Sequence, residues 1–329
     1  PQIPWFWRFL LTSNTNRFKR ATDALSYLCH NSISDTKELL EYSNIAEKLE
    51  QNGCAFIYDT ELSFNKSIKS WDERSSRGFS SEVLHAKKIA KITPTINEKF
   101  KYAYLSHHWA KVSEPSDIVR GLADSAKING VTFCQERINS VSEKLNSILI
   151  NFDKGNSKYD AVVIAAGINS VSLAKSLGDF LPMTAERGYN LTIPLSNIDI
   201  DIPIVFADRG IVATSLTSGL RIGGWAEYAH PSRPANPHYF NSISRISQDL
   251  FPGLNIENAN YWMGSRPSTP DSVPVISKSL KIDRVFYNCG HGHYGLTHAA
   301  TSANLLCSLI EGEQNSAEIK ALSIDRFLQ

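Results

Sequence analysis

The densest cluster of chemically capable residues is Gly290-His-Gly-His-Tyr-Gly295. It follows an apolar run, Val285-Phe-Tyr-Asn-Cys289, and precedes a segment from Leu296 to Glu311 with helical spacing of its apolar residues. G-x-G-x-x-G between a strand and a helix is the context of a dinucleotide fingerprint. That fingerprint also needs a second strand closed by an acidic residue. Here the helix runs into a short polar tail, where Glu311 and Glu313 end no strand. The pyrophosphate reading is therefore set aside. What survives is a turn of small residues offering backbone N–H groups at a helix N-terminus, which stabilises negative charge and lets a flat ligand come close. His291 and His293 flank it, and a turn serving packing alone has no use for two histidines.

Gly264-Ser-Arg-Pro-Ser-Thr-Pro-Asp-Ser-Val-Pro274 is the second signal. Its prolines stiffen the chain and keep their neighbours extended. Arg266, projecting from that frame, suits bidentate capture of a carboxylate; a surface Arg in a Pro-rich loop explains it equally well. The third signal is Tyr159-Asp-Ala-Val-Val-Ile-Ala-Ala-Gly167, a strand whose small-residue end lets a ligand reach backbone, though any parallel strand before a turn would look similar. His107 and His108 have no further ligands at metal spacing, so no metal is expected. No Ser sits in a nucleophile elbow and no Cys–His pairing is visible. Cys289 reads as a small core residue.

The spacing predicts elements that would hold these residues. A helix is predicted over 16–50, broken by Gly53 and followed by a strand at Ala55–Tyr58. A second amphipathic helix is predicted over Ser80–Ile92, stopped by Pro94. Asp117–Lys127 reads as a helix with Ser116 as N-cap and Asn129-Gly130 as its stop. Val131–Cys134 reads as a short strand, Ile138–Phe152 as a hairpin, and Asp160–Ala165 as a strand buried on both faces, followed by a helix from Ser170. Residues 187–228 alternate like antiparallel strands (189–193, 204–206, 211–213, 220–222). A helix over 236–250 ends at Pro252-Gly253.

Length and composition bound the rest. The 329 residues correspond to about two domains. Lys plus Arg number 34 against 33 Asp plus Glu, a net charge of +1. That balance argues against a nucleic-acid binder, which needs a basic surplus. An apolar share of 42% argues against disorder. Five widely spaced cysteines, without C-x-x-C, argue against a disulfide scaffold and for a reducing, cytoplasmic setting. No apolar run reaches the roughly 18 residues that span a bilayer. Ile3–Leu11, with Arg8, Arg17, Lys19 and Arg20 nearby, reads first as a buried or docking helix and second as a peripheral membrane-surface helix.

Together and in this order, these signals resemble the D-amino-acid oxidase and dehydrogenase (DAO) family of FAD-dependent oxidoreductases, nearest its bacterial D-amino-acid dehydrogenase branch. The resemblance rests on Trp5-Phe-Trp-Arg-Phe9, Val112-Ser-Glu-Pro115, Asp160–Gly167, Glu186-Arg-Gly-Tyr-Asn190, Arg221-Ile-Gly-Gly-Trp-Ala-Glu227, Arg266-Pro-Ser-Thr-Pro-Asp271 and Gly290–Thr297, and it covers nearly the whole chain. It implies a mixed α/β fold: an incomplete Rossmann-like FAD-binding domain interleaved with an antiparallel-sheet substrate domain. Its expected divisions are 1–115 (mostly substrate domain, with a helical cap), 116–178 (FAD-binding), 179–262 (substrate sheet and helix) and 263–329 (FAD-binding).

The resemblance also implies roles. Arg266 would hold the substrate carboxylate, with Tyr189 and His293 beside the substrate. Gly290, His291, Gly292, His293, Tyr294, Gly295, Leu296 and Thr297 would lie along the flavin ring. Val131 and Phe133 would lie by the adenine, and Ala165, Ala166 and Gly167 by the ADP portion. The implied activity is hydride transfer from Cα of a D-amino acid to flavin, with release of the imino acid and no side chain assigned as acid or base. A quinone or respiratory-chain acceptor is implied for dehydrogenase members, with at most peripheral contact at the inner face of the inner membrane. Alternatives are a glycine, sarcosine or D-hydroxyproline oxidising enzyme, and a truncated, non-catalytic scaffold. The family's opening βαβ unit, with its own G-x-G-x-x-G and ribose-binding acid, has no counterpart here, and the chain begins at Pro1. The expectation is a longer parent enzyme whose phosphate-binding corner lies outside this sequence.

Overall fold

A computed structural model of the chain describes residues 3–312 and 317–328; Pro1 and Glu313 lie outside these. The chain opens with α1 (Ile3–Leu11) and α2 (Thr15–Tyr42), the latter entered through Asn14, whose side chain accepts from the Asn16 N–H. The helix predicted over 16–50 stops at Tyr42, because Asn44 turns into the left-handed region at φ +56°. Beyond it lie β1 (Leu49–Glu50), β2 (Cys54–Tyr58) and α3 (Glu61–Ser76), started by a Thr60–Ser63 capping box. The predicted Ser80–Ile92 helix divides into β3 (Ser81–His85) and α4 (Ala86–Ile92). Cross-strand pairing with β4 (Tyr102–Ser106) overrides the helical spacing there, a tertiary effect.

After β5 (Lys111–Val112), α5 (Pro115–Ile128) starts two residues earlier than Ser116 as N-cap would allow. Pro115 takes the first helical position and Glu114 is the N-cap. The predicted strand at Val131–Cys134 is absent: the segment has no regular structure, and Val131 and Phe133 are 51% and 56% exposed. A strand without a partner leaves its backbone groups unpaired. The hairpin is present as β6 (Ile138–Lys144) and β7 (Ser147–Phe152), joined through Leu145 and Asn146, both at positive φ, and extended by β8 (Gly155–Tyr159). The next strand, β9 (Val162–Ile164), is shorter than predicted and is not covered on both faces. Ile164 is buried, but Val163 is 38% exposed, and β9 pairs along one edge only. Then come α6 (Ser170–Ser176), β10 (Thr184–Ile193), β11 (Ile204–Phe206), β12 (Ile211–Leu216), β13 (Gly219–Tyr228), α7 (Pro237–Leu250), β14 (Asn260–Ser268), β15 (Val275–Lys278), β16 (Val285–Cys289), α8 (Ala299–Ile310) and α9 (Ala317–Leu322).

Eight strands form the main sheet, ordered β14-β10-β13-β12-β11-β2-β4-β3, antiparallel except for β11 beside β2. Alternation along β10, β12 and β13 sends Leu191, Ile193, Ile211, Ala213 and Ile222 to one face, where Ile243, Leu250 and Phe251 of the α7 region cover them. The opposite face is left to the site. A smaller sheet, β15-β16-β9, pairs β16 with β9 in parallel. It is backed by Leu305, Leu306 and Leu309 of α8 packing against Leu28 of α2. Among the described residues no helix is long and apolar enough to cross a membrane.

Candidate functional site

The site forms where β14 meets β10. Pro267 is tolerated because β14 is the edge strand of the sheet. The register sets Arg266 opposite Glu186. On the other side of β10, Arg187 faces Glu227 and Tyr189 faces Gly224, so Trp225 and Ala226 together oppose Gly188. This is a β-bulge, and it drives Trp225 to φ +64°. A bulky residue in that region is strained, and such strain is concentrated at functional sites. The bulge aims the Trp225 carbonyl at Arg266, whose Nη1 donates to it at 3.3 Å and to Glu186 Oε1 at 3.3 Å.

Gly188 makes this possible. A Cβ there would stand 2.2 Å from Arg266 Nη2, so the guanidinium lies flat over a backbone that only glycine provides. Glu186 is buried at 5% exposure and fully engaged. Its Oε2 accepts from Ser268 Oγ at 2.9 Å, and Oε1 forms a very short hydrogen bond with His293 Nε2. Burial pushes this carboxyl's pKa up. The His293 and Ser268 hydrogen bonds and the Arg266 charge outweigh burial and hold it below the usual range.

A cavity of about 660 Å³ opens over this cluster, lined among others by Asn190, Arg221, Trp225, Arg266, His293 and Leu296. Tyr189 borders it, but its hydroxyl is committed beneath the sheet: it bonds to Glu227 and accepts from Arg187 Nη2 and the Asn236 N–H, each at 3.2 Å. Arg187 itself is fully buried and paired with Glu227.

The structure separates the two histidines of the glycine-rich turn. His291 points inward, its Nε2 2.9 Å from Ser302 Oγ, and burial lowers its pKa to about 4. His293 faces the cavity. The predicted helix start at Leu296 is also corrected: residues 292–294 form a 3₁₀ turn and α8 begins at Ala299. Ala300, Thr301 and Ser302 are buried, so the exposed backbone of residues 293–297, not the helix N-terminus, borders open space. His298 is wholly buried beneath Tyr294, with Nε2 3.5 Å from Cys29 Sγ, and burial brings its pKa to about 4 as well.

Several of these features fit a flat cofactor such as a flavin nucleotide. Gly290 and Gly292 adopt φ +80° and +52°; Gly290 is buried, and a Cβ there would meet Thr269 Cγ2 at 2.8 Å, whereas a Cβ at Gly292 would meet only Ser268 Oγ, at 3.5 Å. Gly167, at φ +56°, has nothing within 4 Å of a Cβ, and Ala165 and Ala166 beside it are exposed. Backbone that is open and free of side chains is what a flat cofactor needs. The Gly290–Gly295 turn does follow β16, which runs parallel to β9, but it opens a 3₁₀ turn at Gly292–Tyr294, and α8 starts only at Ala299, so its glycines do not sit at a helix N-terminus as in a pyrophosphate cradle. No group of three or more metal-ligating side chains is present among the described residues. Sequence reasoning missed Glu186 as a site residue; its register partner Arg266 was visible, but only strand pairing joins them.

The family described as FAD dependent oxidoreductase (DAO) matches residues 7–309. A D-amino-acid oxidase of Bradyrhizobium diazoefficiens is 26% identical over 336 residues, covering 99% of this chain and 79% of that protein. A D-amino acid dehydrogenase of Allorhizobium ampelinum is 26% identical over 334 residues, covering 99% and 78%. The crystal structure of glycine oxidase from Geobacillus kaustophilus superposes with a TM-score of 0.78 at 19% identity, over 91% of this chain and 81% of that one. L-proline dehydrogenase from P. horikoshii gives 0.79 at 17%, over 92% and 82%. At these identities the structural matches speak for the fold.

Proposed function

The chain belongs to the DAO family of FAD-dependent oxidoreductases, and from that premise we propose that it deaminates a D-amino acid oxidatively, as a dehydrogenase. The observation that carries this reading is Arg266. Its Nη1 is held by Glu186 and the Trp225 carbonyl, and its Nε–Nη2 edge has no partner among the described residues. A free edge of that kind can take a substrate carboxylate in bidentate fashion. Burial of Glu186 fixes the guanidinium before substrate arrives, so little ordering remains to be done on binding.

FAD, when bound, supplies the acceptor for the electron pair leaving the substrate's Cα. In the proposal, residues 290–297 border its ring, Val131 and Phe133 flank its adenine, and Ala165, Ala166 and Gly167 lie by its ADP portion. Trp225 and Leu296 line the cavity and offer the substrate side chain apolar surface. Tyr189 borders the floor of the cavity, while its ring packs on Tyr239 and Phe240 of α7 and its hydroxyl is engaged beneath the sheet.

The similarity to a glycine oxidase structure supports a second reading, a small or N-methylated amino acid as substrate. One panel separates the two: D-alanine, D-proline, D-hydroxyproline, glycine, sarcosine and their L counterparts, each with a dye acceptor and with O₂. Preference for D-amino acids with the dye supports the main reading, and preference for glycine or sarcosine supports the second. Equal turnover of L- and D-alanine would overturn D-specificity.

For the acceptor we propose a quinone or respiratory-chain component reached at a membrane surface. The support is α1, which leaves Ile3, Trp7 and Leu10 between 61% and 81% exposed along one stripe, while Trp5 on its other side is buried and donates to the Ser268 carbonyl. Trp7→Ser with Leu10→Ser should abolish co-sedimentation with anionic vesicles and leave dye-linked activity intact; unchanged sedimentation would refute the contact.

A further inference from the structure

The Glu186–His293 pair does more than an anchor for Arg266 requires. Glu186 already has donors from Arg266, Ser268 and the Tyr228 hydroxyl. A buried carboxylate with those partners is satisfied without His293. Yet His293 Nε2 makes the shortest contact in the cluster, on the same Oε1 that Arg266 Nη1 approaches. A carboxylate accepting from Nε2 fixes the proton on that nitrogen and leaves Nδ1 as an acceptor. Nδ1 has no partner among the described residues, the His293 side chain is 53% exposed, and the residue lines the cavity. Arg266 and His293 therefore stand side by side on one carboxylate oxygen. In an α-amino acid, the carboxylate and the ammonium are likewise separated by a single carbon.

We propose that His293 is the base that removes the proton from the substrate's α-ammonium group, with Glu186 as its positioning residue. This rests on the amino-acid reading above. The N–H bonding pair remains on the substrate nitrogen as a lone pair, and the His293 Nδ1 lone pair forms the new N–H bond. The resulting imidazolium is stabilised by the Glu186 charge, and the exposed ring then releases its proton to water. The freed nitrogen lone pair assists departure of the Cα hydrogen with its electrons, which an ammonium cannot do. The groups facing His293 are Glu186 of β10, Arg266 and Ser268 of β14 and Tyr228 of β13. His291 is turned away onto Ser302.

The test uses the FAD-loaded protein and two probes: D-alanine, and propionate, which has the carboxylate but no amine. His293→Gln keeps a donor for Glu186 and removes the base. Propionate affinity by calorimetry should stay within about twofold of the parent. kcat/KM for D-alanine should fall about 10²- to 10⁴-fold at neutral pH. The deficit should close as pH rises and the substrate arrives as free amine. Glu186→Gln should move the acid limb of the profile in the same sense by a smaller factor. An unchanged pH profile in His293→Gln overturns the inference, as does a pH-independent deficit matched by weaker propionate binding. A parent protein that oxidises no amino acid and binds no propionate overturns the functional reading itself, and the inference with it.

Discussion

Gly188→Ala isolates the role of Arg266 more cleanly than a change to Arg266 itself. The added Cβ would sit 2.2 Å from Nη2, 2.3 Å from Cζ and 2.5 Å from Nη1, against about 3.4 Å for ordinary contact. The guanidinium must therefore retreat by more than about 1 Å, and its hydrogen bonds to Glu186 and the Trp225 carbonyl must break or lengthen. The backbone has no reason to object: Gly188 is not among the glycines at positive φ. The displaced atoms are also the free end of a long side chain. Folding stability should fall modestly: the gain of about 0.4–1 kcal/mol from a less flexible unfolded chain is outweighed by the weakened pairing of buried Glu186, which keeps its Ser268 and His293 partners. Function should respond quite differently. A misplacement of about 1 Å at an anchoring group costs on the order of 10²-fold, close to 2.7 kcal/mol of transition-state binding. The assay is dye-linked turnover of the preferred amino acid with propionate calorimetry and thermal unfolding on the same preparations. Loss of kcat/KM and of propionate affinity in a protein that still unfolds cooperatively, with only a modest fall in Tm, is the expected result. Parent-like turnover and binding would show that Arg266 does not hold the substrate carboxylate.

Further expectations follow from the same cluster. Arg266→Lys should lower kcat/KM by an amount corresponding to about 1.5–3 kcal/mol, since one ammonium cannot reproduce the bidentate edge; steady-state kinetics at saturating dye checks it. Arg187→Ala should destabilise the fold by about 3–5 kcal/mol, because Glu227 would be left buried without its cation; denaturant unfolding measures this. Glu186→Gln should make stability less sensitive to acid. A carboxyl held below its ordinary value stabilises the folded state above the pH where the unfolded group ionises, and that contribution is lost as pH falls through the folded value. The Tm gap between parent and variant should therefore be widest near neutral pH and close below the ordinary carboxylate range.

The parts that the sequence made legible are those written in local chemistry. The alternation of residues 189–193 and 220–222 marks antiparallel strands, the hairpin at 138–152 carries Leu145-Asn146 at its turn, and Gly290–Gly295 announces a tight turn after a strand. Each depends on neighbours within a few residues, so no knowledge of the rest of the fold is needed. Misreadings occurred where distant chain decides. Residues 81–85 have helical spacing but meet β4, and pairing prevails. Residues 131–134 have strand composition but find no partner among the described residues, so they form no strand.

The candidate site divides along the same line. The types and spacing of Arg266, His291, His293 and the glycines determined that this region could hold an anion and admit a flat ligand. Tertiary structure decided which histidine serves, turning His291 onto Ser302 and His293 onto a carboxylate 107 residues away. It also decided that Glu186 belongs to the site, that Gly188 is a seat for Arg266, and that the Tyr189 hydroxyl does not face the cavity. Side-chain identity and short-range order are encoded in consecutive residues, whereas hydrogen-bond partners across a sheet are fixed by register. Register is set only when the whole sheet assembles against its core.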